Sequence, residues 1–158
     1  MKLNKGVIFD VLQENDLIQG LSKEQAQRFY DRGKAVKAKP NTVIIHEGAP
    51  NNHLFLLLSG ELEVFLPDSP ERFSKVTMAR RIPGNYVGEY SFMDSSPASA
   101  SVKTVVKCIL FQISHAAVEE LFDRDPKIGQ VMYRNLLVNL VGRLRESDHE
   151  LDMIQPFT

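Results

Sequence analysis

Residues 87–102 read Val87-Gly88-Glu89-Tyr90-Ser91-Phe92-Met93-Asp94-Ser95-Ser96-Pro97-Ala98-Ser99-Ala100-Ser101-Val102. In order, this is a strand end, a glycine, about one turn of helix, a serine-rich loop with one proline, and a second strand. A glycine at the junction suits the positive φ that a sharp strand-to-helix turn requires. The stretch sits inside a run of short strands, and the chain becomes helical towards both ends.

Outward from it, the strands are legible in their patterns. Leu54–Leu58 is a continuous apolar run, the signature of a strand buried on both faces. Leu62, Val64 and Leu66 alternate with Glu63 and Phe65 as in a half-buried strand. Thr42–Ile45 is β-branched, and Val76–Ile82, Ser101–Val106 and Ile109–Ile113 read as further strands. Turn residues separate them at 47–52, at Ser59-Gly60-Glu61, at Pro67-Asp68-Ser69-Pro70 and at Pro83-Gly84-Asn85. Short strands with turns at such intervals point to a sandwich, jelly roll or barrel.

Apolar residues at helical spacing occupy residues 9–32, and Ser22 with Gln25 has the form of a capping box, so a helix is expected from near Ser22 to Asp31. After the strands, Ser114 opens a short helix that ends before Asp125-Pro126, and a long helix follows from about Ile128 to Met153. On it, Tyr133, Leu137, Leu140, Leu144, Ser147, Leu151 and Ile154 alternate at spacings of four and three, a heptad seam with one polar slot at Ser147. Such a seam suits a partner helix, and a homodimer through this helix is expected. Leu136 and Val141 widen the apolar face, which also suits packing against the chain's own barrel.

A length of 158 residues fits one domain: an N-terminal helical segment 1–35, a roll 36–113 and C-terminal helices 114–158. With 43% hydrophobic and 25% charged residues the composition is that of an ordinary globular protein, without an apolar run of membrane-spanning length, and no membrane association is expected. A net charge of -1 gives no ground for nucleic-acid binding. The first residues lack the sustained apolar core of a secretory leader, and the lone Cys108 cannot form an internal disulfide, so a cytoplasmic protein is expected. The apolar neighbours Val105, Val106, Ile109 and Phe111 place that thiol in a buried strand. His46 and His53 are separated by a turn while His115 and His149 fall in helices, so no metal ligand set forms, and the serines around Ser95-Ser96 have no nearby histidine in sequence; the chain does not read as an enzyme.

Three segments lie in register: Glu47-Gly48, Leu57-Leu58-Ser59-Gly60-Glu61-Leu62, and Pro83-Gly84-Asn85-Tyr86-Val87-Gly88-Glu89, followed by Pro97. Together they resemble the cyclic-nucleotide-binding domain family over about residues 10–150. The resemblance implies a mainly β fold with flanking helices: an eight-stranded β jelly roll (double-stranded β-helix) with N-terminal helices and a long C-terminal helix. It further implies a pocket for cyclic AMP or cyclic GMP. There Glu89 would accept the ribose 2′-hydroxyl, and the backbone of a short helix at Tyr90–Met93 would face the phosphate, with Ser91 and Ser99 adding hydroxyl donors. Gly88, Ala98 and Ala100 complete the cassette, and Ser147 falls where the last helix would meet the base.

Ala98 departs from the family, which has an arginine there to neutralise the phosphate. Loss of a charge-assisted hydrogen bond in a buried site costs roughly 2–5 kcal/mol. No basic residue lies between Arg81 and Lys103, and strand alternation turns Lys103 away from Ala98, towards water. Arg143 and Arg145, on the last helix, are the cations that would reach over a pocket mouth. The expectation is a stand-alone regulatory module with weak or absent binding of cyclic AMP and cyclic GMP, no other cofactor, and a separate effector protein as partner. A functional sensor using a substitute cation is the alternative, and a cupin-type jelly-roll enzyme the remote one. Only Gln155-Pro156-Phe157-Thr158 follow the last helix, so the helix-turn-helix domain of the family's transcription factors is not expected.

Overall fold

A computed structural model of the chain describes residues 4–154; the Gln155–Thr158 tail lies outside the described residues. Among the described residues, eight strands form two antiparallel four-stranded sheets. The first sheet has the order β1 (Lys34–Ala38), β8 (Cys108–Ser114), β3 (His53–Ser59), β6 (Tyr86–Val87). The second has the order β2 (Val43–Ile45), β7 (Ser101–Thr104), β4 (Leu62–Leu66), β5 (Val76–Arg81). Helices α1 (Lys5–Gln13) and α2 (Lys23–Tyr30) precede the strands, α3 (Glu89–Asp94) interrupts them, and α4 (His115–Arg124) and α5 (Pro126–Ile154) follow. This is the jelly roll with flanking helices that the strand pattern and the resemblance imply. No described helix is long and apolar enough to cross a membrane.

The apolar run of β3 explains how the layers fit. Leu54, Leu56 and Leu58 join a core with Leu12, Phe29, Val118, Met132 and Leu136 from the helices, while Phe55 and Leu57 turn towards Ile45, Leu62 and Val102 of the other sheet. One strand thus serves two cores, which requires apolar side chains at both parities. Cys108 belongs to the second core and is fully buried, and burial pushes its thiol pKa up. Gly60, at φ 101°, leaves room for it: a Cβ there would stand 2.7 Å from the Lys107 carbonyl oxygen and press on the Cys108 sulfur.

The helix ends follow local chemistry. The Ser22 hydroxyl accepts from the Gln25 amide and the Gln25 side chain accepts from the Ser22 amide, closing the capping box. The Ser114 hydroxyl accepts from the Ala117 amide and starts α4. Pro126 occupies the first turn of α5, where its missing N–H costs nothing, so this helix begins two residues before the apolar periodicity does.

One strand departs from its pattern. Glu63 on β4 alternates with inward residues and so reads as solvated, yet it is only 3% exposed. Lys75 Nζ lies 2.5 Å and the Thr77 hydroxyl 2.7 Å from its Oε1, while Arg80 and Lys103 approach Oε2 at 3.9 and 3.8 Å. Hydrogen bonds from Lys75 and Thr77 lower its pKa from 4.5 to about 2. Lys103 does turn away from Ala98, but it lies over the Phe65 ring beside Glu63 rather than in water.

Candidate functional site

The site is built on the strand-to-helix turn at residue 88. Gly88 takes φ 93°, and a Cβ on it would collide with the His53 carbonyl oxygen and sit 2.9 Å from Asn51 Nδ2. Only glycine meets both demands without strain. The turn releases the chain into α3, which runs one residue further at each end than the expected Tyr90–Met93. The segment after α3 is pinned to the β2–β3 loop: the Ala98 amide donates to Ala49 O at 3.0 Å, and the Gly48 amide donates to Ala98 O at 2.8 Å. The Glu47 amide donates to the Ser101 hydroxyl at 2.9 Å just beyond.

Between these segments and the second sheet lies a cavity of about 290 Å³. Gly88, Glu89, Tyr90, Ser91, Ala98, Ser99, Ala100 and Ser147 all line it, so the structure brings together every residue that the sequence nominates. Val64 and Ala79 form the sheet-side wall, and Arg143, Glu146, Ser147 and Glu150 reach it from α5. Glu89 and Ser91 are each 7% exposed, whereas Tyr90, Ser99 and Ser147 are open to solvent. Ala98 is buried with its methyl group at the cavity wall. Ser147, which falls at the heptad spacing of α5, also lines the cavity.

The charges in the cavity come from elsewhere in the chain. Arg143 Nη1 donates to Glu89 Oε1 at 2.5 Å, across 54 residues of sequence. Burial works to lower the Arg143 pKa, but the Glu89 carboxylate, through charge and hydrogen bond, raises it overall. Arg145, its neighbour in the notional pair of reaching cations, is exposed and does not line the cavity. Arg81, the last residue of β5, does line it. Burial lowers the Arg81 pKa and the nearby Arg143 charge adds to this, against the pull of Glu89. Its buried Nε has no hydrogen-bond partner among the described residues. Sequence reasoning passed over Arg81, although alternation along β5 puts it on the same face as Ala79, which pairs with Val64 at the cavity wall. Among the described residues no group of three or more His, Cys, Asp or Glu side chains is placed to hold a metal.

The sequence and the fold have counterparts in known proteins. The profile of the cyclic nucleotide-binding domain matches residues 35–125, more than half of the chain. The chain belongs to the cyclic nucleotide-binding domain family. Within it, the chain is 26% identical over 144 residues to mouse cGMP-dependent protein kinase 2, covering 90% of this chain but 18% of that protein. It is 30% identical over 148 residues to the cyclic AMP receptor protein of Thermus thermophilus, covering 90% of this chain and 63% of the receptor. The crystal structure of a cyclic nucleotide-binding domain from Methylobacillus flagellatus superposes with a TM-score of 0.80 at 26% identity, covering 96% of this chain and 85% of that one. The chain thus spans only part of the curated relatives it matches. Two cations, Arg81 from β5 and Arg143 from α5, line the cavity, and position 98 carries a methyl group.

Proposed function

We propose that this chain is a regulatory rather than catalytic module that takes a cyclic nucleotide weakly in the cavity beside Glu89 and passes the signal to a separate effector protein. The observation that carries the reading is the Glu89–Arg143 pair. The carboxylate that would accept the ribose hydroxyl is already engaged, and Ala98 offers no charge to the phosphate. A ligand must exchange one good ion pair for hydrogen bonds to Glu89 while its phosphate lacks a fixed cation, so little net affinity remains. The printed names of the mouse kinase and the Thermus receptor place cyclic nucleotides with those proteins, which supports the ligand class. Calorimetric titration of cyclic AMP and cyclic GMP into the purified chain is expected to give binding weaker than micromolar, with a shift of cassette resonances at high ligand. Micromolar affinity for either nucleotide would refute the weak-site reading, and no cassette response at any concentration would refute the ligand class.

A second reading rests on Arg81 and Arg143, which both line the cavity and so offer a substitute for the missing arginine. The two readings part at Arg143→Ala. If Arg143 locks Glu89, the variant binds cyclic AMP more tightly; if Arg143 holds the phosphate, binding weakens.

The module is further proposed to act as a homodimer through α5. Its buried face, Ile128, Met132 and Leu136, packs on the helical core, while Leu137, Leu144 and Leu151, at heptad spacing, are 56, 64 and 62% exposed. An exposed apolar stripe of this length is a costly surface for a lone chain. Leu144→Asp changes a side chain that is mostly exposed in the single chain and is expected to halve the mass seen by light scattering; an unchanged mass would refute the dimer.

A further inference from the structure

The cassette cavity has a mouth whose chemistry differs from its floor. Arg143 meets Glu89 deep in it, where Glu89 is 7% exposed. Further along α5, Ser147 and Glu150 line the same cavity one and two turns beyond Arg143, and both are exposed. Glu150 thus stands about 10 Å along the helix axis from Arg143. Met78, across the cavity on β5, is 59% exposed, so this end opens to solvent between a strand and a helix. The charged groups lining the whole cavity are two guanidiniums, Arg81 and Arg143, and three carboxylates, Glu89, Glu146 and Glu150. Glu89 takes Arg143, and Glu146 also lines a recess that holds Arg81 and Arg134. Glu150 lines the cassette cavity and not that recess, and it forms no ion pair among the described residues.

An unpaired carboxylate offers two acceptor oxygens and no donor. Ser147 sits three residues before it, a spacing that makes the two side chains neighbours on the helix surface, and its hydroxyl either donates or accepts. The pair therefore reads a base edge by its order of donors and acceptors. Guanine presents an acceptor, O6, followed by two donors, N1–H and the 2-amino group. Ser147 donates to the first, and the two Glu150 oxygens accept from the others as a charge-assisted pair. Adenine presents its 6-amino donor beside the N1 lone pair. That lone pair faces a carboxylate oxygen, so one hydrogen bond forms where guanine makes two.

Resting on the reading that this cavity takes a cyclic nucleotide with its ribose at Glu89, we propose that Glu150 is the specificity residue of the site and that the site prefers cyclic GMP to cyclic AMP. Ser147 holds guanine O6, and the base lies between α5 and the apolar wall of Val64, Met78 and Ala79. The phosphate still meets Ala98, so the preference is set within weak binding.

The test is an NMR titration of the whole chain with cyclic GMP, cyclic AMP and cyclic IMP, which keeps O6 and N1–H but lacks the 2-amino group. The Gly88, Glu89 and Ser91 amides report occupancy. Cyclic GMP is expected to bind about tenfold more tightly than cyclic AMP, the scale of one charge-assisted hydrogen bond, with cyclic IMP between them. Glu150→Ala is expected to abolish the preference. Glu150→Gln replaces one acceptor by a donor, which matches the donor–acceptor edge of adenine, and is expected to reverse it. Position 150 is exposed, so the melting temperature is expected to hold in both variants, and a merely structural role would move the nucleotides together. Equal affinities in the wild type, tighter cyclic AMP, or a preference unchanged in Glu150→Ala would overturn this proposal and leave the ligand class standing. No saturable response to any of the three would overturn both.

Discussion

Two buried glutamates sit on neighbouring parts of the same roll, and their surroundings differ. Glu63, on β4, is enclosed by Lys75, Thr77, Arg80 and Lys103, all carried by its own sheet or the loop beside it. Glu89, at the head of α3, has one side-chain partner, Arg143, lent by a helix that begins 37 residues further along the chain. A carboxylate with several fixed donors at short range contributes to the fold and has no lone pair to spare. One with a single donor on a long side chain, at the edge of a cavity, is exchangeable. The comparison separates a structural charge from one available to a ligand, although the two are almost equally buried.

The contrast is sharpest in stability. Glu63→Ala leaves Lys75, Arg80 and Lys103 crowded around an empty site and is expected to cost about 3 kcal/mol, or a drop of roughly 6–12 °C in melting temperature. Glu89→Gln, whose partner can swing into solvent, is expected to cost about 1 kcal/mol or less. Equal losses in thermal melts would break the distinction.

Acid separates them next. The folded pKa of Glu63 is about 2 against an ordinary 4.5, so its contribution to stability is complete above pH 4.5 and is lost as pH falls towards 2. Denaturant titrations across that window are expected to show a stability slope that Glu63→Gln flattens. A slope unchanged in that variant would assign the acid sensitivity to other carboxylates.

The smallest expected effect is in ligand affinity at the exchangeable charge. Arg143→Ala is expected to tighten cyclic AMP binding severalfold, as Glu89 is freed, with calorimetry as the measure. Weaker binding would make Arg143 a phosphate ligand and would favour the substitute-cation reading.

The same contrast marks what the sequence could reveal. Strands, turns and capping residues depend on local periodicity and on single residues such as Gly88 and Ser22, so the roll and its helices are legible, and the cassette residues fall around one cavity as nominated. The charges are less legible, because ion pairs depend on register between distant elements. Arg143 was visible as a cation able to reach the mouth, but its pairing with Glu89 needs the placement of α5 to within a turn. Arg81 is within reach of a strand-alternation argument, but its entry into the cavity depends on the register of β5 against β4, which residue spacing alone does not give. Glu63 defeated alternation outright. Its outward face is roofed by Lys75 and Lys103, whose long side chains also cover Phe65.

The proposed weak binding rests on Ala98, whose side chain brings no charge to the cavity wall. The direct measurement is a calorimetric titration of cyclic AMP into the wild-type chain and into Ala98→Arg under the same conditions. Position 98 is buried with its side chain at the cavity wall, so the new guanidinium enters beside Ser91 and Ser99. The account predicts at least about tenfold tighter binding in the variant, equal to roughly 1.4 kcal/mol. Micromolar binding by the wild type, or no gain in the variant, would contradict it.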